Sequence, residues 1–164
     1  MCVIVMALLC VAVVAMAQSA EEWYETGDEY LYAGDYEKAI EHYTKAIELD
    51  SEYAWAYNRR GIAYIIMGRY NEAIADYTKA IELDPEDDLA YNNRGVAYIN
   101  MGRYNEAIAD CTKAIELDPE YADAYNNRGL AYYYLRNRKN ALADFKKACD
   151  LGDKDACDNY DAIK

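Results

Sequence analysis

AWAYNRRGIAYIIMGRYNEAIADYTKAIELDPED, running from Ala54 to Asp87, is followed without a gap by DLAYNNRGVAYINMGRYNEAIADCTKAIELDPEY, from Asp88 to Tyr121, and 27 of the 34 aligned positions are identical. Self-similarity at a fixed period marks a solenoid, in which each unit buries its apolar face against its neighbours. Function in such a chain is read from a stacked surface and not from a catalytic pocket.

Outward from this pair the same spacing continues, giving further units at Ala20 to Tyr53 and Ala122 to Asp155. The first half of each unit carries an i, i+4, i+7 stripe: Trp23, Gly27, Tyr30; Tyr57, Gly61, Tyr64; Tyr91, Gly95, Tyr98; Tyr125, Gly129, Tyr132. The second half repeats it as Ala39, Tyr43, Ala46; Ala73, Tyr77, Ala80; Ala107, Cys111, Ala114; Ala141, Phe145, Ala148. That spacing puts each set on one face of a helix. Gly34, Gly68 and Gly102 interrupt the units midway, and Asp84-Pro85 and Asp118-Pro119 end them. Each unit therefore reads as a helical hairpin.

These residues resemble the tetratricopeptide repeat, whose signature places an aromatic, Gly, Tyr, then Ala, aromatic, Ala and Pro at these spacings. The resemblance covers Ala20 to Asp155 and implies an all-α, right-handed superhelical solenoid of four hairpins with a concave ligand groove. Ser51 and Asp153 stand in place of the closing Pro, and Arg136 and Arg138 in place of the last hairpin's Gly and Tyr, so the fourth unit reads as a terminal one. Residues 156–164, within a stretch that sets Ala156, Tyr160 and Ile163 on one face, read as a capping helix.

Where the family usually has Leu before the Gly, units two to four carry Arg60, Arg94 and Arg128, with Asp76, Asp110 and Asp144 sixteen residues later. Unit one has Thr26 and His42 and loses both together. Folding each hairpin about its midpoint brings these positions side by side, which predicts three ion pairs at the flanks, each contributing about 0.2–1 kcal/mol if exposed.

The near-identical pair differs at unit positions 1, 2, 6, 9, 13, 24 and 34. Positions 2, 6, 9 and 13 share one helix face. They are Trp55, Arg59, Ile62 and Ile66 in unit two, Leu89, Asn93, Val96 and Asn100 in unit three, and Asp123, Asn127, Leu130 and Tyr134 in unit four. The resemblance implies that this stripe lines the concave groove; otherwise it is a solvent-facing stripe free to vary. Position 5 is Tyr24, Asn58, Asn92 and Asn126. Its carboxamides offer the donor and acceptor that an extended peptide backbone needs, or alternatively cross-link adjacent hairpins. Asn93 and Asn127 resemble part of the asparagine ladder in the repeat domains of O-linked N-acetylglucosamine transferases.

Related co-chaperones clamp acidic peptide tails with Lys, Asn, Asn, Lys and Arg. The matching places here are Tyr24, Asp28, Arg59, Leu89 and Asn93, or Asn58, Ile62, Asn93, Asp123 and Asn127, and the lysines are missing. With 17 basic against 30 acidic residues and a formal charge of −13, the chain repels phosphate backbones, which argues against nucleic acid and favours a neutral or basic peptide or protein partner.

Cys2 to Ala17 is an unbroken apolar run ending in Ala15-Met16-Ala17, the form a signal peptidase accepts. Its length suits a signal peptide over residues 1–17 and falls short of the ~20 residues of a spanning helix, although an n-region without Lys or Arg leaves an uncleaved anchor open. The expectation is an exported protein, periplasmic or secreted, with a membrane contact only if that segment is retained. Beyond it remain Cys111, at the aromatic core position, and Cys149 and Cys157. The surrounding KACDLGDKDAC resembles the Sel-like repeats of exported proteins, which implies a Cys149–Cys157 disulfide; two reduced core thiols are the alternative.

Little supports catalysis. His42 is the sole histidine and Ser19 and Ser51 the only serines; no nucleophile triad, phosphate loop or zinc spacing can be assembled, and Asp150, Asp153, Asp155 and Asp158 lack the pattern of a calcium loop. The reading is a non-enzymatic interaction module without cofactor, metal or small-molecule substrate. Its alternative is a self-associating structural component of a cell-envelope complex.

Overall fold

A computed structural model describes residues 18–164. The apolar run of residues 2–17 lies outside the described residues. Among these, no helix is long and apolar enough to cross a membrane.

The described chain is all-helical: α1 Ala20–Ala33, α2 Tyr36–Leu49, α3 Ala54–Ile66, α4 Tyr70–Leu83, α5 Asp88–Asn100, α6 Tyr104–Leu117, α7 Ala122–Tyr134, α8 Arg138–Asp150 and α9 Lys154–Ile163. Each unit holds one antiparallel pair, and each pair packs on the next. The first helices of successive units, α1, α3, α5 and α7, also touch one another, whereas the second helices make no comparable contact among the described residues. The stack therefore curves with its first helices on the inner side.

Alanine makes this packing possible. Ala39, Ala46, Ala56, Ala63, Ala73 and their equivalents through Ala156 are fully buried, so backbones approach closely while larger rings fill the remaining space. The interlock inside each hairpin is a glycine facing a ring. A Cβ on Gly27 would stand 2.7 Å from Tyr43, on Gly61 2.7 Å from Tyr77, and on Gly129 2.7 Å from Phe145. In unit three Gly95 faces the smaller Cys111. There Tyr121, which is half-buried, takes the place that Asp87 holds one unit earlier.

The turns follow from local chemistry. Gly34, Gly68 and Gly102 adopt φ of 81°, 72° and 72°, and Arg136, at the same place in the fourth hairpin, is forced to φ 61°. Between units, Asp50, Asp84 and Asp118 each accept a hydrogen bond from the backbone N–H two residues on, at 2.9–3.0 Å. This Asx turn depends on the Asp and not on the residue after it, which is why Ser51 can stand where units two and three have Pro. At the N-terminus Ser19 and Glu22 form a capping box that starts α1.

Candidate functional site

The residues of the varying stripe all lie on the inner helices. Trp55 is 56 % exposed and Tyr134 50 %, and Ile66 and Leu89 are also exposed, although burial would be favourable for each. Tyr32, at the same unit position as Ile66 and Tyr134, extends the row into unit one. In the sequence this stripe is read through units two to four and not into unit one, where Tyr32 holds the same position. Arg59, Ile62, Asn93, Val96, Asn127 and Leu130 lie half-buried between these outer contacts.

At position 5 the structure shows the second of the two expected uses, cross-linking of adjacent hairpins. Asn58 and Asn92 are only 5 % and 4 % exposed. Asn92 donates to the Tyr121 hydroxyl at 3.1 Å and accepts from Asn127 of the next unit at 3.0 Å. Asn126 in turn accepts from Asn159 of α9 at 3.1 Å, and Tyr24 accepts from Arg59 at 3.4 Å. Two of these bonds are the same step, 35 residues apart, in which position 6 of one unit donates to position 5 of the unit before; the bond from Asn159 spans 33 residues and comes from the capping helix. These amides tie hairpins together, and a ligand meets them only through the half-buried position-6 partners. The Asn58 to Asn93 step departs from the pattern. Asn58 donates to Asp87 and its carbonyl oxygen is buried without a partner, while Asn93 makes no side-chain hydrogen bond among the described residues. Burial holds the Asp87 carboxyl above the usual carboxylate range.

The wall is electrostatically uneven. At the unit-one end stand Glu21, Glu25 and Asp28; Asp28 accepts the Tyr43 hydroxyl at 2.5 Å and lies 3.5 Å from Arg59. Among the described residues no group of His, Cys, Asp and Glu is arranged to hold a metal ion. Asp150 pairs with Lys146 at 2.7 Å, and Asp153 caps α9 by accepting from the Ala156 N–H at 3.1 Å.

The three expected arginine–aspartate pairs form, and because they are largely buried the figure for an exposed pair does not apply to them. Arg60–Asp76, Arg94–Asp110 and Arg128–Asp144 are each bidentate and largely buried. Their third guanidinium nitrogen reaches back to Thr44, Thr78 or Thr112 of the preceding unit at 2.8–3.1 Å. Depth arises because Arg lies between the aromatic stripe residues, with Arg94 5.8 Å from the Tyr91 ring centre. The hydrogen bonds that Arg94 donates to Asp110 raise its pKa further.

Cys149 and Cys157 are joined by a disulfide that ties α8 to α9, with Cα atoms 4.7 Å apart. Cys111 is a buried free thiol, and burial pushes its pKa up to about 12.

Comparison with known proteins agrees with this geometry. Models described as "Tetratricopeptide repeat" match residues 89–121 and 111–153, and one described as "TPR repeat" matches 27–65 and 61–102. No curated protein sequence matches the chain significantly. Among solved structures, the first TPR of Spaghetti (RPAP3) bound to the HSP90 peptide SRMEEVD is 31% identical, with TM-score 0.66, over 70% of this chain and 92% of that one. The second TPR domain of human RPAP3, in complex with the HSP70 peptide SGPTIEEVD, is 36% identical, with TM-score 0.64, over 67% and 93%. MamA is 32% identical, with TM-score 0.80, over 88% and 85%.

Proposed function

This chain belongs to the tetratricopeptide repeat family, and on that premise we propose that its inner wall binds an extended segment of a partner protein without catalysing a reaction. The observation that carries this is the set of exposed apolar side chains on the inner helices, Trp55 and Leu89 near their starts and Tyr32, Ile66 and Tyr134 near their ends. Apolar side chains exposed together on one face mark interaction sites. Asn93 adds an uncommitted carboxamide in the middle of the wall. Two of the similar structures hold peptides, which supports the same use here.

The charge of the preferred segment differs from theirs. The peptides in those two structures end in EEVD. Here no lysine stands at the clamp positions, and Glu21, Glu25 and Asp28 face the wall at unit one. A neutral or basic stretch suits that end. We place this binding outside the cytoplasm, in the periplasm or medium, with residues 1–17 acting as the export signal; the Cys149–Cys157 bridge supports an oxidising compartment, as does the likeness of this end to Sel-like repeats.

A displayed library of random peptides, selected against the chain and against a Trp55→Ala/Leu89→Ala variant, tests the wall. Enriched sequences should be neutral to basic, apolar in their middle, and bound at least tenfold more weakly by the variant. Equal binding by both proteins places the ligand elsewhere. Light scattering separates the self-associating alternative, which requires a defined oligomer.

A further inference from the structure

Six of the eight arginines pair with a carboxylate: Arg59, Arg60, Arg69, Arg94, Arg103 and Arg128. Among the described residues Arg136 and Arg138 pair with no Asp or Glu side chain, in a chain with a formal charge of −13. Both line one cleft of about 400 Å³ with Tyr133, Ala162 and Ile163. A second hollow of about 230 Å³ shares Tyr133, Ala162 and Ile163 and adds Leu130, Tyr134 and Asn159, so the cleft continues into the inner wall.

Three departures from the repeat converge here. Tyr133 stands where units two and three have Ile65 and Ile99, Arg138 where the other units have Tyr36, Tyr70 and Tyr104, and Arg136 where they have glycine. Arg136 keeps the glycine's left-handed backbone, which is unfavourable for a residue with a Cβ. Strain retained at one residue is grounds for asking what that residue does. Arg138 is held at the rim by donating to the Lys164 carbonyl at 2.9 Å and begins α8, whose N-terminal end favours negative charge. Tyr133 and Tyr134 are exposed, with ring centres 5.9 Å apart, and Tyr134 is stacked on Tyr104 at 5.0 Å.

We infer that the cleft between the end of α7, the α7–α8 turn and α9 is a binding site for a carboxylate adjoining an aromatic or large apolar side chain. Arg136 and Arg138 meet the carboxylate, guanidinium being suited to bidentate pairing. Tyr133, Ala162 and Ile163 surround the side chain. This deepens the inner-wall reading, since Leu130 and Tyr134 line both. A bound segment would then run from neutral or basic at unit one to acidic and apolar at α9, which gives it a direction.

Two small probes differing only in charge test the site: N-acetyl-L-phenylalanine and its neutral amide, titrated into the 15N-labelled chain. The acid should shift the amide resonances of Tyr133 to Arg138, Ala162 and Ile163 saturably. The neutral amide, and the acid with Arg136→Gly or Arg138→Gln, should bind at least tenfold more weakly. Arg136→Gly relieves the backbone strain, so weak binding by that variant reflects the lost guanidinium and not a lost fold. Trp55→Ala should leave acid binding unchanged, so a failed inner wall does not mimic a failed cleft. Equal responses to acid and amide, or undiminished binding in Arg136→Gly, overturn the assignment.

Discussion

Arg94 and Asp110 share two hydrogen bonds, Nε to Oδ2 at 2.7 Å and Nη2 to Oδ1 at 2.9 Å, across the two helices of one hairpin. Nη1 of the same guanidinium reaches Thr78 in the preceding unit at 3.0 Å. One side chain thus ties both the hairpin and the joint to its neighbour. Removing either partner leaves a charge in a largely buried site, and each single alanine substitution should lower stability by about 2–3 kcal/mol. In a urea double-mutant cycle the coupling energy should exceed about 1 kcal/mol; a value near zero contradicts the structural role.

Cys111 gives a pH signature. Its folded-state pKa is raised to about 12 by burial, against about 8.5 for an unfolded thiol. The folded chain therefore holds the proton more tightly. The stability this provides is fully present below about pH 8.5 and is lost as pH rises towards 12, at about 1.4 kcal/mol per pH unit for one proton. Cys111→Ala should remove one proton's worth of slope from the stability profile above pH 8.5. Identical slopes for the two proteins would mean that the thiol is not buried as described.

Arg136 at φ 61° predicts an opposite sign of effect. Arg136→Gly should raise stability by about 1 kcal/mol, whereas Gly102→Ala, which imposes the same conflict on the third hairpin, should lower it by a similar amount. Thermal unfolding of both variants checks the pair. Stabilisation by glycine together with weaker carboxylate binding would mark Arg136 as a residue retained for its charge.

Reducing the Cys149–Cys157 bridge should act mainly on α9. Closing so short a loop contributes about 2.5 kcal/mol in the chain-entropy model. Cys149→Ser/Cys157→Ser should accelerate hydrogen exchange in α9 well before α1 to α6 respond, because each hairpin contacts chiefly its neighbours. Uniform acceleration along the chain would show that the stack unfolds as one unit.

The hairpins were legible because Ala, Gly and Tyr recur at helical spacing in nearly every unit, and the arginine–aspartate pairs because Thr26 and His42 lose both partners at once. The threonine leg was not. Thr44, Thr78 and Thr112 are the same residue in three units, so comparison gave no contrast; the one readable sign was Lys146 at that place in unit four. The depth of Asn58 and Asn92 was equally hidden, since a carboxamide reads as surface until its partner is known. Those partners, Asp87 and Tyr121, lie 29 residues away, and their identities differ between the two units. The C-terminal cleft was half visible, in Arg136 and Arg138 as departures from the repeat. The arrival of Ala162 and Ile163 beside them needed the packing of α9.

The threonine contacts have a modular consequence. Unit one offers Thr44 forward but has no arginine to reach backward, and unit four reaches back through Arg128 but ends in Lys146. Units two and three carry both halves of the fastening. A further copy spliced between them would find a mate on each side, whereas one appended at either end would not, so the molecule can be lengthened or shortened by whole 34-residue blocks only from its middle.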